Sequence, residues 1–140
     1  MKLLSLAALG VCLLLLPQSV DARAANADQE KLQGKWKVES FEFNGAPVDD
    51  LIDAIREFKD DKYTLTPTSG EVFRGTVKLD SSKKPKQIDL ELNDRTLKGI
   101  YEIDGDTLKI SYVLEGDERP TELVSKPDSG VVLVVHRRAK

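Results

Sequence analysis

The chain has few of the side chains that most site chemistry depends on. One cysteine, one histidine, one methionine and one tryptophan occur in 140 residues, and aromatics make up only 6%. A single histidine, His136, excludes any two- or three-histidine metal centre. A Ser-His-Asp triad through His136 lacks the Gly-x-Ser-x-Gly nucleophile elbow that would present its serine. Neither sign of charge dominates. Lysine and arginine number 21 against 24 aspartates and glutamates, a formal net charge of -3. Nothing in that balance favours nucleic acid or an anionic lipid surface as a partner. No apolar run reaches the roughly 20 residues that a membrane span takes. Repeats, low-complexity linkers and a second composition regime are also missing.

The longest apolar stretch runs from Leu3 to Leu16, behind Lys2, and breaks at Pro17. The small-x-small triplet Ala22-Arg23-Ala24 follows, which together reads as an export signal cleaved after Ala24. The one cysteine, Cys12, lies inside that stretch. Leu9-Gly10-Val11-Cys12 loosely resembles a lipobox, but Val11 replaces the small residue needed there and four leucines follow. Export with cleavage after Ala24 is therefore the expectation, giving a periplasmic or secreted protein. The mature chain then has no disulfide and no thiol chemistry, even in an oxidising compartment. Lys2, Arg23 and Asp21 leave with residues 1–24, so the charge moves from -3 to -4. Residues 25–140 make one domain, long enough to bury a core without staples.

What remains is a series of short alternating strands. A polar lead from Ala25 to Gln33 allows one helical turn, capped by Asn26 or Asp28. Trp36 and Val38 share a face; Phe41 and Phe43 fall on the opposite parity, which calls for a bulge near Ser40. Asn44-Gly45 signals a turn. Val48, Leu51, Ile52 and Ile55 recur at helical spacing behind Pro47, predicting one short helix, either capping the barrel or acting as a lid. Further strands are expected at Tyr63–Leu65, Phe73–Leu79, Ile88–Leu92, Leu97–Ile103 and Leu108–Tyr112. A short one at Thr121–Val124 precedes Val131–Val135, which is apolar on both faces. Asp104-Gly105 reads as a two-residue hairpin turn. The fold class is all-β, an antiparallel up-and-down barrel of about eight strands with one short helix after the first strand.

Candidate site residues are few. The acidic pairs Asp49-Asp50, Asp60-Asp61 and Asp104 with Asp106 lack the spacing of a calcium loop and fit turns and caps. Lys83, Lys84 and Lys86 read as a solvated loop, since no aromatics interleave them. Arg119, before Pro120, either meets a carboxylate ligand at a barrel mouth or braces its loop against Glu115, Asp117 or Glu118. His136 is expected near the surface of the last strand. Tyr63, Phe73, Tyr101 and Tyr112 are expected to point inward, where tyrosine hydroxyls would orient a ligand.

Several segments together carry a family resemblance. Gly34-Lys35-Trp36 has the Gly-x-Trp form of the first strand of lipocalin-like barrels. With Leu32-Gln33 before it, Lys84 to Asp89, Gly99 to Leu108 and Arg119-Pro120-Thr121, the chain resembles the planctomycete uncharacterised domain family of small exported lipocalin-like domains. The resemblance implies an arginine of the last strand packed over Trp36. Arg137 is preferred over Arg138 because it shares parity with Val131, Leu133 and Val135. It implies no activity and supplies no catalytic residues or cofactor. A non-enzymatic protein is expected, binding a small apolar or amphipathic ligand through Tyr63, Phe73, Tyr101, Tyr112 and Arg119. The alternative is a filled barrel that meets an envelope or cell-surface protein.

Overall fold

The computed structural model describes residues 27–140; the segment expected to be an export signal, its expected cleavage site, Cys12 and the cap candidate Asn26 lie outside the described residues. Alternation of apolar and polar side chains gives β1 (Gly34–Phe43), β3 (Ile55–Lys59), β4 (Lys62–Thr66), β5 (Phe73–Asp80), β6 (Gln87–Leu92), β7 (Arg95–Asp104), β8 (Thr107–Val113) and β9 (Val131–Arg138). These eight pair antiparallel in sequence order, and β9 returns to pair with β1, closing the barrel. A ninth strand, the two-residue β2 (Ala46–Pro47), folds back on β1 alone. Closure removes the unpaired edges that an open sheet presents. No helix among the described residues is long and apolar enough to cross a membrane.

The bulge expected near Ser40 is present. The β1–β9 register shifts between Val38, opposite His136, and Ser40, opposite Val135. The extra residue lets Trp36, Val38 and Phe41 all bury on the inside despite their sequence parity. Asn44 and Gly45 both take positive φ, 53° and 78°, as a primed hairpin turn requires. The β7–β8 turn falls one residue later than expected. Asp104 pairs with Thr107, so Gly105 (φ 58°) and Asp106 form the turn.

Two segments differ from the sequence expectation. The short helix after the first strand is a single 3-10 turn, Asp49–Leu51, and Ile55 already belongs to β3. Thr121–Val124 forms no strand. That region is part of a long connection that lies over the outer wall. Under it Ile100, Ser111 and Val113 are buried although they alternate with the inward set Leu97, Tyr101, Ile110 and Tyr112.

Two inward glycines shape the interior. Gly75 sits opposite Tyr63, and Gly99 opposite Tyr112. A Cβ at Gly75 would meet the Tyr63 ring at 2.8 Å, and one at Gly99 would meet Tyr112 Cβ at 2.9 Å. At both glycines a backbone carbonyl oxygen, of Glu91 or of Ser111, is closer still, so backbone as well as tyrosine fills the space that a side chain there would need.

Candidate functional site

The two ends of the barrel are built differently. At the end where Trp36 pairs with Arg138, a helix over residues 27–32 closes the opening. Leu32 is fully buried there and its carbonyl accepts a 2.8 Å bond from Trp36 Nε1. The Arg138 guanidinium stacks 3.9 Å from the Trp36 ring and donates to the Lys31 and Gln33 carbonyls. Asp28, rather than capping the helix, reaches Tyr101 Oη at 2.6 Å and Lys86 Nζ at 2.9 Å. Burial pushes its carboxyl up, but the Tyr101 hydroxyl, Lys86 and Lys31 together hold it below the usual carboxylate range. Burial and the Asp28 carboxylate push the Tyr101 hydroxyl well above the ordinary tyrosine range.

The arginine over Trp36 is thus Arg138, not Arg137. Val132, Val134 and His136 form the inward set of β9, and Arg138 continues it. Arg137 lies outside, its Nε 2.7 Å from Glu39. Shared parity with Val131, Leu133 and Val135 points to Arg137 only because these less buried residues of β9 are apolar as well.

His136 is likewise not near the surface; it is fully buried. Its Nδ1 lies 3.0 Å from the Leu108 carbonyl, so Nδ1 carries the proton and Nε2 is a bare acceptor with no partner among the described residues. Burial, and then the nearby Arg56 charge, lower its pKa to about 3, so the ring is neutral.

Arg56, which sequence reasoning missed, is the second largest of the fully buried side chains. It is the second residue of β3, pairs with Trp36 on β1 and Leu65 on β4, and is 2% exposed. Its guanidinium carbon lies 5.6 Å from the Tyr63 ring centre. Burial raises the Tyr112 hydroxyl's pKa, and the adjacent Arg56 partly offsets this. Its Nε and Nη2 have no hydrogen-bond partner among the described residues. The one signal available was the alternation Ala54, Arg56, Phe58, which places Arg56 inward once the segment is read as a strand.

The five expected ligand residues therefore separate. Tyr63 and Tyr112 lie inside beside Arg56. Tyr101 lies inside but is committed to Asp28 at the closed end. Phe73 keeps inward parity yet sits at the opposite end, 38% exposed, because β5 begins there. Arg119 is on the outer wall, where Nη1 reaches the Gly99 carbonyl at 2.8 Å and Asp89 Oδ1 at 2.8 Å. It braces its connection, with Asp89 in place of Glu115, Asp117 or Glu118. The Lys83–Lys86 loop is exposed, with Lys86 tied to Asp28.

No protein-family model, curated protein or solved structure matches this chain. The fold and the interior define its class by themselves: a closed eight-stranded antiparallel barrel with a plugged end and a buried polar cluster.

Proposed function

We propose that this chain is an exported, non-catalytic binding protein that takes a small apolar or amphipathic molecule through the end of its barrel opposite the helix over residues 27–32. The observation that carries this reading is the asymmetry of the two ends. The plugged end is held by a stacked arginine, an indole hydrogen bond and an ion pair between the buried Asp28 and the half-exposed Lys86. The other end, where Phe43 pairs with Val132, has Phe43, Val48, Leu51, Leu65 and Leu114 only partly buried around it. Val72 and Phe73 stand 37% and 38% exposed beside them. An apolar rim over an aromatic interior suits an apolar guest. The resemblance to small exported lipocalin-like domains and the sequence of residues 1–24 support the export part of the proposal.

A second reading, a filled barrel that meets an envelope or cell-surface protein, is favoured by a different observation. The inward positions hold buried side chains. Two depressions, about 570 Å³ beside Glu57, Lys62 and Arg74 and about 810 Å³ beside Lys37, Asp53 and Arg137, lie on the outer wall.

Native mass spectrometry of the protein purified from its own host's envelope, with a denatured control, separates the two. An added mass lost on denaturation supports the ligand reading. A bare mass that persists after incubation with a lipid and metabolite extract supports the filled barrel.

A further inference from the structure

We propose that Arg56 anchors a carboxylate inside the barrel, so that the ligand is an amphipathic carboxylic acid; the inference rests on the ligand-binding reading above. Arg56 is a permanent cation, 2% exposed, on the inward face of β3. The ion pairs among the described residues all use other cations. A buried charge without a counter-charge is strongly unfavourable, and an incoming anion relieves it.

The unpartnered atoms narrow the chemistry. Nε and Nη2 form one edge of the planar guanidinium, presenting two parallel N–H groups. That edge matches the two oxygens of a carboxylate bidentately. The Tyr63 ring 5.6 Å away supports the face of the guanidinium but gives nothing to its N–H edge. The Tyr112 hydroxyl stands beside it and supplies no charge. His136 is neutral and adds no second cation. Lys86 and Arg138 are engaged at the plugged end. One guanidinium balances one negative charge, whereas a phosphate monoester carries about -1.5 to -2. Leu65, opposite Arg56, leads toward the apolar rim, which directs a hydrocarbon tail away from the plug.

The test compares dodecanoate, dodecan-1-ol and dodecyl phosphate as probes of equal chain length. Binding is read through Trp36, the single tryptophan, which lies directly across from Arg56. The variants are Arg56→Met and Arg56→Lys. Wild-type protein is expected to hold dodecanoate about 10-fold or more tighter than dodecanol. Arg56→Met is expected to abolish that preference while keeping dodecanol affinity, and to melt at or above wild type without ligand, because an uncompensated charge is gone. Arg56→Lys, which keeps the charge but loses the fork, is expected to retain part of the preference and decides the matter if Arg56→Met does not fold. Equal binding of dodecanoate and dodecanol by wild type, or an undiminished preference in Arg56→Met, overturns the inference and leaves the ligand-binding reading standing. Tighter binding of dodecyl phosphate than of dodecanoate overturns the carboxylate assignment. Failure of all three probes to bind overturns both.

Discussion

At Trp36 three interactions converge: a 2.8 Å bond to Leu32, the Arg138 guanidinium at 3.9 Å, and complete burial. Truncation to alanine removes all three, so Trp36→Ala should cost about 3–5 kcal/mol in a denaturant melt. An unchanged melt would mean the indole carries no core role. Arg138→Ala should cost about 2–4 kcal/mol, since a cation–π contact and two charge-assisted bonds go together. Arg137→Ala, its exposed neighbour paired with Glu39, should stay within about 0.5 kcal/mol. His136 makes a prediction about pH. Its folded pKa of about 3 lies below the ordinary 6.5, so the unfolded chain binds more protons between those values. Stability should fall as pH drops from about 6.5 toward 3, by up to about 1.4 kcal/mol per pH unit. Asp28 acts in the same direction at the acid end, because its lowered carboxyl pKa is lost on protonation. Replacing His136 with leucine should flatten the upper part of that profile. A profile of unchanged slope would show that the imidazole is not held neutral.

At the scale of elements, the long connection after β8 has one fastening that the strand pattern does not contain. Arg119 ties it to Asp89 and to the Gly99 carbonyl, over the buried Ile100 and Ser111. Arg119→Ala should cost about 1–2 kcal/mol and speed amide exchange at residues 99–101 and 111–113. Normal exchange there would show that the connection is held by packing alone. The elements also separate what was legible from what was not. Strands with clean alternation, such as Ile88–Leu92 and Leu108–Tyr112, were readable because one face is apolar. β3 was hidden by its own interior: Arg56 breaks the apolar alternation that marks a strand, and Ile55 completed an accidental helical spacing with Val48, Leu51 and Ile52. Thr121–Val124 looked like a strand because its β-prone residues instead line a connection packed on the outer wall. These two departures offset each other, so the expected number of strands matched the barrel while one strand lay elsewhere. The polar cluster was unreadable for the same reason as β3, since a buried arginine in sequence is indistinguishable from a surface one.

Across the whole molecule, the pairings β3 to β9 join neighbours in the chain, and only β1 with β9 joins its far ends. That last pairing runs from Trp36 opposite Arg138 to Phe43 opposite Val132. Removing residues 131–140 would leave β1 and β8 with bare edges. Such a chain should elute as oligomers or aggregates, whereas the intact protein should not; a monodisperse truncated monomer would mean that the remaining strands close among themselves.

The same closure fixes where the protein can be held. The helix over residues 27–32 and the end of β9 at Arg138 both lie at the plugged end. Any tether attached before residue 27 or after Lys140 therefore pulls on the same pole. Fixed to a surface from either terminus, the barrel stands upright with its apolar rim pointing away. Immobilisation by one end or the other should leave that rim equally exposed.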